Sequence, residues 1–318
     1  MISDLLRIEG LRVYYYTRDG VVMAVDNVDL FMKKGETIGL VGESGSGKST
    51  LGRAILRLVP PPGRIISGKI VFDGLNLTEL SEEEMRKIRG KRISMVFQDP
   101  MTSLDPLMKI GDHIVETIMT HDNLARKEAE EKAMKLLEQV GIRSERFMDY
   151  PHQFSGGMRQ RVGIALALAL NPDLVIADEP TSSLDVIVQF QILDLMKELK
   201  NLYGMGMILI THDISIIPGI ADKVALMYAG QLVEFADAKS FFNEPLHPYG
   251  KALLESIPNI QHSDQKLKYI PGNPPDLINP PKGCRFSPRC PYATEKCREE
   301  EPPTIMVGRH RLVKCFQY

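Results

Sequence analysis

The segment Gly42-Glu43-Ser44-Gly45-Ser46-Gly47-Lys48-Ser49-Thr50 constrains this chain more than any other. It follows the apolar run Thr37–Val41 and precedes a helical-looking Leu51–Leu58, so it reads as strand, glycine-rich loop and helix start. Glycines let successive backbone N–H groups turn inward, and the helix N-terminus adds its partial positive charge. Lys48 is then within reach of β- and γ-phosphates, and the Ser49 hydroxyl is placed to ligate Mg²⁺. Such a loop demands a parallel α/β framework and a polyphosphate ligand.

A second feature lies downstream. Leu174-Val-Ile-Ala-Asp178-Glu179 is four apolar residues ending in two carboxylates. A buried strand that delivers Asp178 at its C-terminal end suits Mg²⁺ held opposite Ser49, and Glu179 on the other side of the strand suits polarisation of an attacking water. A third is Phe154-Ser155-Gly156-Gly157-Met158-Arg-Gln-Arg ahead of the apolar run Val162–Leu170. Ser-Gly-Gly at a helix start offers N–H donors, a hydroxyl and a dipole to an anion, although the same residues commonly serve as a plain N-cap. One nucleotide seldom needs two such helix starts from one subunit.

The remaining pattern is consistent with that frame. To about residue 80 the chain is β-rich, with strands expected at 11–16, 21–30, 37–41 and 69–72. From 81 to about 170 it turns helical: Ser81 with Glu84 forms a capping box, and Leu124–Val140 carries Glu128/Lys132 and Glu131/Lys135 pairs before Gly141. Leu174–Ala177, Met207–Ile210 and Val224–Tyr228 have the apolar character of buried parallel strands. Beyond about 245 proline becomes frequent, so loop and extended chain are expected there. With 318 residues, a net charge of −2 and no run of 18 apolar residues, the chain is expected to be cytosolic, neither a membrane-spanning protein nor a generic nucleic-acid binder.

Taken in order, these motifs resemble the ATP-binding subunit of an ABC transporter over roughly residues 5–240. The resemblance implies a P-loop α/β core with an antiparallel β subdomain, a helical subdomain inserted at about 81–170, and a boundary near 245. It further implies that Tyr15, flanked by Tyr14 and Tyr16, stacks on adenine, and that Gln98 senses Mg²⁺ and touches the transmembrane partner. By the same resemblance Ser155, Gly156 and Gly157 contact the γ-phosphate held by an opposite subunit. Ser183-Leu184-Asp185 is similar to the D-loop, and His212 to the switch histidine. Phe154 and Met158 depart from the common Leu-Ser-Gly-Gly-Gln form. That variant resembles one of the two ATPases of oligopeptide/dipeptide importers, as do Leu246–Leu254, Ile270–Pro275 and the stretch from Gly283 in the tail. The implied partners are a paralogous ATPase subunit, two permease subunits and, through them, an extracytoplasmic peptide-binding protein. A homodimer in isolation is compatible with this. The implied location is peripheral, on the cytoplasmic side of the membrane.

The four cysteines all lie in the tail, spaced Cys284-x5-Cys290-x6-Cys297-x17-Cys315. Four thiolates suit tetrahedral zinc or an iron–sulfur cluster. No short C-x2-C knuckle of the zinc-ribbon kind occurs, and the resemblance implies a four-iron, four-sulfur cluster, which would also staple a tail poor in apolar residues. The competing class is a soluble ABC ATPase whose tail is an iron–sulfur or zinc interaction domain. The chain has neither the long coiled-coil insertion nor the second cassette common in such proteins.

Overall fold

Apolar residues seat the first strand: Leu5, Leu6, Ile8, Leu11 and Val13 are buried along Asp4–Tyr16, with Arg7 exposed and Glu9 and Arg12 half-buried between them. The computed structural model describes all residues except 1–3, 100–102, 183, 258–268, 309 and 310. The strands are β1 (Asp4–Tyr16), β2 (Val21–Lys33), β3 (Thr37–Val41), β4 (Gly63–Phe72), β5 (Leu75–Asn76), β6 (Ile93–Val96), β7 (Leu174–Asp178), β8 (Gly206–Thr211), β9 (Lys223–Tyr228), β10 (Gln231–Asp237), β11 (Thr304–Val307) and β12 (Arg311–Lys314). The helices are α1 (Lys48–Ile55), α2 (Glu82–Ile88), α3 (Ile110–His121), α4 (Arg126–Gln139), α5 (Gly156–Leu168), α6 (Val186–Tyr203), α7 (Ala238–Asn243), α8 (Pro248–Glu255) and α9 (Glu295–Glu299).

Two compact units divide the chain. The first gathers 1–32, 37–78 and 211–318. It holds an antiparallel sheet in the order β2-β1-β4-β5 and a second run in the order β11-β12-β10-β9-β3, in which β3 and β9 are parallel. Every residue of β3 and β9 is buried, as the continuous apolar runs require. The tail adds its own hairpin, β11–β12, to the β10 edge, with Glu234 opposite Val313 and Phe235 opposite Leu312.

The second unit gathers 33–36 and 79–210. Parallel β6, β7 and β8 run side by side, with Leu174 opposite both Ile93 and Gly206. The capping box at α2 forms as expected: Ser81 N–H donates to Glu84 at 2.7 Å and Glu84 N–H to Ser81 Oγ at 3.3 Å. The Glu128/Lys132 pairing expected on α4 is replaced. Glu128 turns back to accept the Ala125 N–H at 3.0 Å, and Lys132 approaches Asp122 at 3.7 Å. An orphan N–H at a helix start is a stronger claimant for a carboxylate than an exposed lysine one turn on.

Candidate functional site

In the first unit the phosphate loop lies between the ends of β3 and α1. Gly42 and Gly47 are seated against backbone: an added Cβ would lie 2.1 Å from the Met227 carbonyl at Gly42 and 2.0 Å from the Ala24 carbonyl at Gly47. Gly47 is also the left-handed N-cap of α1, with φ 99°. Lys48 is 4% exposed, and its ammonium donates to Gly42 O at 2.8 Å, Glu43 O at 2.9 Å and Ser46 Oγ at 3.4 Å. The lysine is thus bound to the loop's own oxygens, which a polyphosphate would replace. Ser46 O accepts the Gly230 N–H at 3.0 Å, tying the loop to the β9–β10 turn.

The three adjacent tyrosines part ways here. Tyr14 donates to Asp26 at 2.8 Å, Tyr16 is exposed beside Arg64, and the Tyr15 hydroxyl lies 3.4 Å from Thr50 Oγ1 at the start of α1. Burial, with the Asp26 carboxylate next, pushes the Tyr14 hydroxyl up to about 12 and keeps it a neutral donor. Only Tyr15 meets the phosphate-loop helix through its hydroxyl. His212, at the end of β8, is exposed.

In the second unit Asp178 is fully buried at the end of β7. Glu179 follows with a left-handed φ of 47°, its N–H donating to Ile210 O at 3.0 Å. That strained backbone separates the two carboxylates. Glu179 Oε2 accepts from Gln98 Nε2 at 2.9 Å and from Ser182 Oγ at 2.8 Å, so Gln98 meets the second carboxylate. A buried carboxylate at a strand end and a serine hydroxyl at a phosphate-loop helix are hard oxygen donors of the kind Mg²⁺ takes, so Asp178 and Ser49 fit that ion by chemistry.

Ser155 caps α5, its Oγ accepting the Met158 N–H at 3.4 Å. Gly157 packs against α6: an added Cβ would lie 2.6 Å from Val188 Cγ1. Both unusual residues of this motif are held by Arg146, which the sequence reading passed over. Its guanidinium lies 4.0 Å from the Phe154 ring centroid and donates to Met158 Sδ at 3.4 Å, while Asp149 at 2.7 Å fixes its other side. Asp185 acts locally as the N-cap of α6, accepting from Val188 N–H at 3.0 Å; Ser183 lies outside the described residues.

The tail leaves one expectation without support. Cys284, Cys290, Cys297 and Cys315 are all free and half-buried, and burial, followed by the other thiols, pushes Cys284 up to about 11. Among the described residues no group of three or more His, Cys, Asp or Glu is arranged to hold a metal ion, so neither the four-iron, four-sulfur cluster nor zinc finds support. What fastens the tail instead is Phe286, 1% exposed against Tyr228, Tyr249 and His247, together with Arg285 and Arg289. Arg285 pairs with Asp26 and donates to Ala229 O at 2.5 Å.

The sequence-family model described as "ABC transporter" matches residues 25–182, and that described as "Oligopeptide/dipeptide transporter, C-terminal region" matches 233–297. The oligopeptide transport ATP-binding protein OppD of Bacillus subtilis (strain 168) is 48% identical over 319 residues, covering 99% of this chain and 89% of that protein. OppD of Escherichia coli (strain K12) is 46% identical, covering 98% and 93%. The dipeptide transport ATP-binding protein DppD of Lactococcus lactis subsp. cremoris (strain MG1363) is 46% identical, covering 99% and 91%. Among solved structures, the dimeric ATP-binding cassette MJ0796 in a post-hydrolysis state with ADP and Pi superposes with a TM-score of 0.67 at 28% identity, covering 73% of this chain and 98% of that one.

Proposed function

The chain belongs to the ABC transporter ATP-binding proteins, in the oligopeptide/dipeptide branch, and we propose that it hydrolyses ATP to power import of short peptides through a membrane permease. The observation that carries this reading is the seated phosphate loop, with Lys48 buried among oxygens of its own backbone. When a triphosphate enters, the ammonium exchanges those carbonyls for β- and γ-oxygens, and the turned-in N–H groups of Gly42–Thr50 hold the rest of the charge. Tyr15 stacks on the adenine. Ser49 and Asp178, with Gln98, are the residues that would hold Mg²⁺, which would supply neutralisation of the phosphate charge.

Glu179 orients the attacking water and accepts its proton; Gln98 and Ser182 hold the carboxylate ready. His212 steadies the γ-phosphate end. Ser155, Gly156 and Gly157, at the start of α5, present their donors to a nucleotide held by an opposite subunit, with Asp185 beside that contact. The fully assembled unit therefore contains a second ATPase, a paralogue in the transporter, and two permease subunits that receive peptide from an extracytoplasmic binding protein. No described helix is long and apolar enough to cross a membrane, so attachment at the cytoplasmic face comes through the permease. Nucleic acid has no part in this reading.

The test is reconstitution with the permease and partner ATPase in liposomes. ATP turnover should rise when peptide and its binding protein are added. Glu179→Gln should retain ATP binding while turnover falls by about 10²–10⁴-fold. Turnover that ignores permease and peptide would reject the importer reading, and normal turnover in the Gln variant would reject the base.

A further inference from the structure

An acid stands inside a loop built to hold anions. Glu43 directly follows Gly42, so the loop carries a negative charge of its own where phosphate charge is to collect. Left alone it would repel the ligand. In the folded chain it is met by a residue from the far end of the sequence: Arg289 donates to Glu43 Oε2 at 2.7 Å and to Oε1 at 3.1 Å, a two-pronged pairing.

The arginine is itself fully engaged. Its other bonds reach Pro271 O at 2.9 Å, Ile270 O at 3.3 Å and the Tyr228 hydroxyl at 3.2 Å. Five guanidinium N–H donors thus meet five contacts, and the side chain is 6% exposed. A second residue of the tail acts on the same position. The Glu43 N–H donates to the Tyr249 hydroxyl at 2.9 Å, and Tyr249, fully buried, packs its ring 4.7 Å from Tyr228 and 5.4 Å from Phe286. Burial, followed by the Glu43 charge, pushes that hydroxyl upward, so it remains protonated. Both the side chain and the backbone of Glu43 are therefore fixed by the C-terminal extension.

We propose that Arg289 and Tyr249 are positioning residues for nucleotide binding: Arg289 cancels and anchors the Glu43 carboxylate, and Tyr249 sets the backbone of the phosphate loop at its first turn. The C-terminal extension is then part of the ATP site. This rests on the reading of Gly42–Thr50 as the nucleotide loop.

The full chain is titrated with a fluorescent ATP analogue in the presence of Mg²⁺, and thermal melting is recorded on the same samples. Arg289→Gln should weaken binding about tenfold, because it leaves Glu43 charged and unanchored. Tyr249→Phe keeps the ring and removes only the acceptor, and should weaken binding about threefold. Adding Glu43→Gln to Arg289→Gln should recover most of the lost affinity, since the repulsive charge is gone. Lower melting temperatures with wild-type affinity in both single variants would overturn the assignment and leave a structural clasp. So would a double variant weaker than either single one. If the wild-type chain itself fails to bind the analogue, the nucleotide reading falls and this assignment with it.

Discussion

Arg146 sits where nothing in its immediate sequence marks it, yet it contacts both residues that set this signature motif apart, Phe154 through its ring and Met158 through its sulfur. A leucine and a glutamine at those positions would offer neither the π-face nor the polarisable acceptor that this guanidinium uses. The departures are therefore one packing solution. Arg146→Ala should slow ATP turnover of the assembled transporter several-fold while leaving ATP binding by the isolated chain unchanged, because in the proposed assembly α5 would donate to the opposite subunit's nucleotide. Equal loss of both activities would place Arg146 in general folding. Cys284 tests a different residue-scale statement. With its thiol pushed up to about 11, it should alkylate at pH 8 at least about a hundredfold more slowly than a cysteine in a short peptide, as read by mass spectrometry. Ordinary reactivity would show that the thiol is less buried than described.

The elements legible in the sequence were those whose cause is local. The strand–loop–helix at β3 and α1 is written in glycine spacing, the cap of α2 in Ser81 and Glu84, and β7, β8 and β9 in short apolar runs. Helix α3 and strands β6 and β10 went unread: α3 has no cap bonded through its side chain, β6 pairs with β7 from far along the chain, and β10 pairs with the adjacent β9 but lacks a continuous apolar run. The Glu128/Lys132 pair of α4 was misread because capping and a contact with Asp122 prevailed over i,i+4 attraction. Of the site, the loop and the paired carboxylates were visible. Tyr15 was singled out among three tyrosines by resemblance alone; in the structure it pairs with Gly63 across β1 and β4. A test at this scale is Gly47→Ala. The left-handed φ and the Ala24 carbonyl both oppose a Cβ, at about 1–3 kcal/mol for the backbone term alone. Nucleotide binding should fall by more than about tenfold with the far-UV spectrum unchanged; retained affinity would show that the loop tolerates displacement.

At the scale of the whole molecule the tail behaves as core. His247, 1% exposed, has its imidazole pushed down to about 3 by burial and then by Lys251, well under the ordinary 6.5. The folded state therefore stays neutral where the unfolded chain takes up a proton. Stability from this group is complete above about pH 6.5 and drains away as pH falls toward 3, by about 1 kcal/mol for each pH unit in between. Melting temperature should drop between pH 6.5 and 5. His247→Asn, which keeps a capping acceptor for the Tyr249 N–H, should flatten that slope. An unchanged slope would assign the acid sensitivity to other groups. The composition shift near residue 245 marks a proline-rich segment, but the cysteines drew attention from the arginines and Phe286 that secure it. The arginine clamp also has a consequence in time. Glu43 and Arg289 are separated by 246 positions. At roughly 10 residues per second of synthesis, the phosphate loop leaves the ribosome some tens of seconds before its clamp exists. Through that interval the nascent chain carries an unneutralised acid in its phosphate loop, so full competence to bind nucleotide waits for the C-terminal extension.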